Sequence, residues 1–314
     1  VLKPTAVGEF SESTTAGELA PALKVILSFD VEEHDRIEAA SGLNIGAKQK
    51  DHYAARLELS TNWLLDTLAE ARAAATFFLV GEIAEHNPEL IRRIAREGHE
   101  VASHSWDHQR IHRLSPAAFR EDVRRSKAAL ENLSGAAVVG YRAPTFSVTR
   151  ETAWAVDVLA ELGMLYDSSV YPVRHDRYGV PAAPRAPFLV RGERHSLLEL
   201  PPTTLRLLAM NLPMGGGGYF RLFPLLLTRW AVRQTARDCR PAVANLYFHP
   251  WEFDPDQERL PLGRLARFRT YVGIRRNRAR LVSLLRSFSF SRAVDVAQEL
   301  HPAVGSLPVF WLAG

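Results

Sequence analysis

From Lys24 onward the chain alternates short apolar runs with longer stretches in which apolar residues recur every three or four positions. The runs Lys24 to Phe29, Ala75 to Val80, His99 to Ser103, Ala137 to Tyr141, Leu197 to Leu200 and Val243 to Phe248 are dominated by β-formers and read as strands. Helices are expected between them, over Leu57 to Arg72, Pro88 to Glu97, Pro116 to Leu133 and Glu151 to Leu162. Strands separated by helices, in a chain too short for two complete α/β domains, predict a single α/β domain: a distorted (β/α) barrel of about seven parallel strands. That domain is expected over residues 23–314, behind a flexible tail of residues 1–22 rich in Ser, Thr, Gly and Glu. Tyr171 to Pro187, dense in Pro and Arg, reads as a long surface loop. "MGGGGYF" at 214–220 reads as a flexible loop; it lacks the Lys-Ser/Thr pair of a phosphate cradle.

Composition narrows the chemistry. With 46% hydrophobic side chains in 314 residues a large core is available. Cys239 is the one cysteine, which excludes an internal disulfide and a Cys-rich zinc site, so any metal must rest on His and carboxylates. No run approaches the roughly 18 apolar residues of a transmembrane span. The first twenty residues lack a basic-then-apolar export pattern, so a cytoplasmic location is expected, or a periplasmic one if a further segment precedes Val1. All but five of the 39 basic residues are arginine behind a net charge of +4, an Arg preference and not a nucleic-acid signature. They concentrate in "GRLARFRTYVGIRRNRARLVSLLR", read as a helix that buries Leu265, Phe268, Val272, Leu281, Leu284 and Leu285 and solvates its basic face. A weak contact with an anionic membrane surface or an acidic polymer would use that face.

Reactive side chains gather at strand ends. Asp30 and Glu32 follow "KVILSF", His104 follows "HEVAS", Arg142 follows "AAVVGY" and His249 follows "VANLYF". All lie just past C-terminal strand ends, the mouth at which parallel α/β folds assemble their sites. If the first strand continues through Val31, its period of two turns Asp30 and Glu32 to one face, leaving Glu33, His34 and Asp35 as solvated loop. His104 and His108 stand four apart in "HSWDH", but the preceding β-type run argues for a strand and turn, not a zincin helix. Two imidazoles and one carboxylate make a three-ligand set that leaves a position open, the pattern of catalytic zinc. His112 reads as helix surface and Asp107 as a turn residue. Trp251 offers an aromatic face for a sugar ring or a place in the core; Phe77 and Phe78 read as packing.

The segments "SFDVEE", "HEVASHSWDH", "GYRAPTFS", "YDSSVYP" and "NLYFHPWEFDP" occur in the order found in the polysaccharide deacetylases of carbohydrate esterase family four, and the chain resembles that family from about residue 24 to 290, in particular its nodulation-factor (chitooligosaccharide) deacetylase group. "DRYGVP", "GGGGYFRLFP" and the Arg-rich segment resemble its exosortase-linked exopolysaccharide subgroup. The resemblance implies metal-dependent hydrolysis of N-acetyl groups on an N-acetylated glycan. It implies Asp30 as general base, held by Arg142, with His104 and His108 on a divalent metal, usually zinc. The family's second carboxylate position is occupied here by Val31, so the third ligand is open between Glu32 and Glu33, with the same-face argument favouring Glu32. Thr145, after "RAP", is implied to offer its backbone N–H to the oxyanion; His249 is implied to be the general acid and Asp167 the group that orients it. A small-amide hydrolase and a catalytically inactive carbohydrate-binding homologue are the competing readings.

Overall fold

The alternation along the first strand organises the molecule. In β1 (Lys24–Val31) Val25, Leu27, Phe29 and Val31 face a core of helices, whereas Ile26, Ser28 and Asp30 point the opposite way. The computed structural model describes residues 23–313, so the tail expected over residues 1–22 lies outside the described residues. Strands β2 (Thr76–Leu79), β3 (Glu100–Ser103), β4 (Gly140–Tyr141), β5 (Tyr166–Asp167), β6 (Phe188–Arg191), β7 (Ser196–Glu199), β8 (Thr204–Leu207), β9 (Met210–Pro213), β10 (Val243–Phe248) and β11 (Val309–Trp311) follow. Their main sheet has the order β10-β1-β2-β3-β4-β5-β7-β6-β11 and curls into a half-barrel. Its first seven members are mutually parallel. The barrel expected from the sequence is thus present, with an added edge: β6 runs antiparallel to β7, and β11 pairs with β6. Strands β8 and β9 form a separate hairpin.

The helices are α1 (Ala47–Ala71), α2 (Ile83–His86), α3 (Pro88–Arg96), α4 (Pro116–Ser134), α5 (Trp154–Glu161), α6 (Gly217–Leu222), α7 (Leu225–Asp238), α8 (Arg264–Tyr271), α9 (Ile274–Leu285) and α10 (Ala293–Leu300). Local chemistry sets α4: the Ser115 hydroxyl accepts from the Ala118 N–H at 3.2 Å, Pro116 occupies the first turn, and Gly135 closes the helix in the left-handed region. Helix α1 begins ten residues before the expected start because Tyr53 packs against His34 and Trp251, a tertiary contact invisible to periodicity. No helix among the described residues is long and apolar enough to cross a membrane.

Two cores sandwich the sheet. Phe29, Phe77 and Phe248 pack outward among helices, while Ile26, Phe78, Tyr166 and Val243 fill the concave interior, which Ala293, Val296 and Ala297 of α10 plug from below. Along β1 and β10 the interior face therefore reads apolar at the floor, then Ser28 and Asn245, then Asp30 and Tyr247 at the mouth. Phe77 and Phe78 both pack, as expected.

Three expectations are corrected. The Arg-rich segment is two helices, α8 and α9, broken at Gly273, whose φ of 74° is left-handed and where a Cβ would lie 2.3 Å from the Arg221 carbonyl oxygen. Leu281, Leu284 and Leu285 are buried as predicted, but the break turns Leu265 and Phe268 out, to 63% and 55% exposure. His34 and Glu33 are buried instead of solvated: Nε2 of His34 bonds the Tyr271 hydroxyl at 2.8 Å, and Glu33 accepts from Arg36 at 2.5 Å. Burial outweighs the nearby carboxylate of Glu32 and pushes the His34 imidazole down to about 3. Finally, the tetraglycine is packed and not a flexible loop. Gly215 is held from both sides, its carbonyl accepting from the Tyr247 N–H of β10 at 2.8 Å and its N–H donating to the Tyr171 hydroxyl at 3.2 Å. A Cβ on Gly216 would lie 1.6 Å from the Tyr247 carbonyl oxygen.

Gly216→Ala is therefore expected to lower stability by about 1–3 kcal/mol, the range for overpacking against atoms that cannot move aside. Urea denaturation of the variant checks this; an unchanged midpoint would restore the flexible-loop reading.

Candidate functional site

Five strand ends and two loops meet above the polar layer. Arg142, directly after β4, reaches into the half-barrel and is fully buried. Its Nη1 donates to Asp30 Oδ1 at 2.6 Å and to Ser28 Oγ at 2.9 Å, its Nη2 to Ser168 Oγ at 2.8 Å, and its Nε to the Ser168 carbonyl at 3.2 Å. The guanidinium lies 4.1 Å from the ring centroid of Phe78. Asp30 is thus anchored through Oδ1, and Oδ2 remains on the cavity side, 3.9 Å from His249 Nε2.

Glu32, His104 and His108 offer ligand atoms that all lie within 4.8 Å of one another. The histidine loop is not helical: Ser105 and His108 take left-handed φ values of 67° and 65°, and Ser105 Oγ accepts from the His108 N–H at 2.9 Å, closing a turn that brings both rings to a centroid separation of 5.1 Å. The ring of His104 is orientated from behind, its Nδ1 bonding the Arg142 carbonyl at 2.7 Å. A carbonyl only accepts, so Nδ1 carries the hydrogen and Nε2 keeps its lone pair. Burial holds the His104 pKa down to about 4, against the attraction of Asp30 and Glu32, and the ring is neutral at pH 7. Glu32 is buried, which favours protonation, yet His108 and the other imidazoles outweigh burial and hold it well below the usual carboxylate range. Its Oε2 lies against His108 Nε2 without the geometry of a hydrogen bond and is left unpaired. An orphaned buried carboxylate oxygen facing two imidazoles fits a divalent cation, which would complete all three groups. Glu33, the alternative carboxylate, points to Arg36 instead.

His249, after β10, closes the opposite side. Its Nε2 lies 3.7 Å from Glu32 Oε1, and its Nδ1 bonds Glu252 Oε1 at 2.6 Å. Glu252 is itself fully buried; its Oε1 also accepts the His249 backbone N–H at 3.2 Å, and its Oε2 accepts Arg221 Nε at 3.0 Å. Although burial opposes it, this bond, with the charges of Glu32, Glu252 and Asp30, pushes His249 up to about 9. Asp167, expected to orient His249, does something else. It accepts from Ser169 Oγ at 2.5 Å and sits opposite Glu199 in the β5–β7 register; burial pushes Asp167 up to about 6 against the hydrogen bonds it receives, and burial beside Asp167 raises Glu199 well above the usual carboxylate range. The orienting carboxylate is Glu252. Its signal was in the sequence: in "HPWE" a Glu three residues after the residue preceding a helical turn forms a capping box.

The cavity over these groups measures about 580 Å³, with Thr145, Tyr178, Tyr219 and Phe268 among its walls. Thr145 holds a left-handed φ of 55° in the short turn after "RAP". Trp251, offered as a sugar platform, is only 7% exposed: it stacks on His249 at 5.4 Å and lies under the Arg221 guanidinium at 5.1 Å, so it acts first as a wall for the imidazole. His112 is exposed and Asp107 binds Gln109 in a turn, both as read from the sequence.

Comparison with known proteins divides the chain near β5. Residues 51–166 match the family model described as polysaccharide deacetylase, and residues 168–298 match a domain of unknown function, DUF3473. A chitooligosaccharide deacetylase of Bradyrhizobium sp. (strain ANU 289) is 35% identical over 97 residues, 31% of this chain and 42% of that protein. A peptidoglycan-N-acetylglucosamine deacetylase of Bacillus cereus is 32% identical over 95 residues, 30% of this chain and 34% of that protein. The chain thus spans less than half the length of these curated relatives. A crystal structure from Mycobacterium smegmatis, provisionally assigned as a polysaccharide deacetylase, covers 96% of both chains with a TM-score of 0.60 at 21% identity, which shows a shared fold. His104, His108, Arg142 and Thr145 lie in the first matched segment and His249, Trp251 and Glu252 in the second, while Asp30 and Glu32 precede both. Through residues 51–166 the chain is similar to the polysaccharide deacetylases.

Proposed function

We propose that the chain hydrolyses the N-acetyl group of a hexosamine in a polysaccharide or its precursor, releasing acetate, with a divalent cation, zinc by the chemistry of the donors, held by Glu32, His104 and His108. One observation carries this reading: the clustered Glu32, His104 and His108 donors adjoin a carboxylate clamped by Arg142 and an imidazole clamped by Glu252, whose facing atoms are 3.9 Å apart. Bound there, the cation supplies Lewis acidity and lowers the pKa of a water toward about 7. Asp30, fixed through Oδ1, presents Oδ2 to take the proton of an attacking water. The Thr145 N–H donates to the oxyanion that develops on the acetamide carbonyl, a contribution of roughly 10²–10³ in rate for donors of this kind. His249 holds its proton at Nε2 and delivers it to the departing amine, while Glu252 keeps the ring in place. His249 keeps its proton because the carboxylates of Glu252, Glu32 and Asp30 face it. The segments resembling the exopolysaccharide-linked subgroup support an exopolysaccharide setting for this reaction.

Acetate release from N-acetylhexosamine oligosaccharides, by protein stripped of metal and restored with zinc, tests the reading. No metal-dependent acetate from any glycan would reject it. Asp30→Asn should lower turnover by roughly 10²–10⁴ and retain metal. Glu32→Ala should bind metal at least about tenfold to a hundredfold more weakly, the scale found even for groups that only support a ligand. Metal content by elemental analysis separates the two roles, and the reverse pattern would exchange them.

His249 must be protonated to act as acid, and its raised pKa keeps the proton in place through neutral pH, to be lost as pH rises through the folded value. The alkaline limb of kcat/KM is therefore expected to fall as His249 loses its proton. In Glu252→Gln the hydrogen bond and charge that raise this pKa are gone, and the limb should move to lower pH. A limb that stays in place would show that Glu252 does not tune the acid.

A further inference from the structure

The cavity mouth carries cations that the deacetylase reading does not use. On one side stands the loop holding Arg174 and Arg177; on the other, α8 contributes Phe268 and Arg269. Of the carboxylates there, Glu38 pairs with Arg110 at 2.8 Å, and Asp176 lies 3.0 Å from His175 Nδ1, a nitrogen that already accepts the Arg177 backbone N–H at 3.2 Å. Arg269 reaches Asp176 only at 4.0 Å, with more than half of each side chain exposed. Among the described residues, Arg174 and Arg177 have no acidic partner, and both are exposed.

This loop is a built wall. Arg110 donates to the Arg177 carbonyl at 2.9 Å while holding Glu38, and Asn211 donates to the Pro172 carbonyl at 2.8 Å. Tyr178 stacks on His175 at 4.0 Å and on Tyr171 at 5.7 Å. Facing it, Phe268 is a bare aromatic ring at 55% exposure, on the helix that the break at Gly273 turned outward.

From this arrangement we infer that the mouth binds an acidic glycan, one in which sugars bearing carboxylates flank the N-acetylhexosamine. The inference rests on the deacetylase reading for the sugar in the centre and goes beyond it in naming the charge of the polymer. Guanidinium groups pair with carboxylates through two parallel N–H donors, and a ring such as Phe268 stacks on the apolar face of a pyranose. An anionic lipid surface would also attract arginines, but Arg269 and Phe268 line the same cavity as Glu32, His104 and His108, which favours a chain threading past the reacting group.

The test compares binding of two hexasaccharides by calorimetry, using the zinc-restored full chain: one alternating N-acetylglucosamine with glucuronic acid, the other chitohexaose. The acidic hexamer is expected to bind about tenfold more tightly at low salt, from three exposed ion pairs acting together. That preference should vanish at roughly 0.5 M salt and in the triple variant Arg174→Gln, Arg177→Gln, Arg269→Gln. Equal affinities, a preference that survives in the triple variant, or binding of neither hexamer overturns the inference. If phosphatidylglycerol vesicles are then bound through the same arginines, the patch belongs to a lipid surface. Acetate release measured in parallel keeps the two readings apart. Tight acidic binding with acetate from neither hexamer would reject the deacetylase reading alone, whereas acetate from chitohexaose with equal affinities would reject this inference alone.

Discussion

A guanidinium without water around it must find a partner for its donors, and Arg142 meets that requirement inside the half-barrel. Asp30, Ser28 and Ser168 surround it, and Phe78 lies beneath. Breaking a buried pair by removing one member leaves an uncompensated charge, at about 3–5 kcal/mol. The interior polar layer is therefore bound to the strands that carry it: β1 through Ser28 and Asp30, and the residue after β5 through Ser168. The Arg142 carbonyl holds His104 in its tautomer. One side chain and its own backbone thus fix both the carboxylate proposed as base and one proposed metal ligand.

The acid side has a separate foundation. His249, Glu252 and Arg221 form a buried chain of charge-assisted bonds, and Arg221 also bonds the Thr270 carbonyl where α8 ends. These residues belong to the segment matching DUF3473, whereas Arg142 and the histidine pair belong to the deacetylase segment. Strand β1, which precedes both segments, joins β10 of the second to β2 of the first, so the two segments share one sheet and residues of both line the cavity. The tetraglycine serves this junction: without side chains its backbone lies against Tyr247, two residues before His249.

Much of the site was legible because parallel strands put their chemistry at one end. The period of two placed Asp30 and Glu32 on a common face, and the strand-end positions of His104, Arg142 and His249 announced convergence. Asp167 was assigned to His249 through the family resemblance alone, but its neighbour across the sheet is Glu199, and the partner of His249 comes from its own segment three residues on. Glu33 and His34 look like solvated loop in a charged stretch. They are buried only because Arg36, Tyr53, Trp251 and Tyr271 close over them.

Short-range periodicity and turn chemistry determined the parallel strands, the face of β1 that carries carboxylates, and the strand ends at which reactive groups sit, because those features depend on residues a few positions apart. Which carboxylate meets which imidazole, which aromatic is a wall and which is bare, and which arginines lack an acidic partner depended on contacts between residues far apart in the chain. Burial then set the charge states, lowering His104 and His34, while a buried bond from Glu252 raised His249. Desolvation belongs to the closed shape and not to any one segment, so only the tertiary structure could decide it.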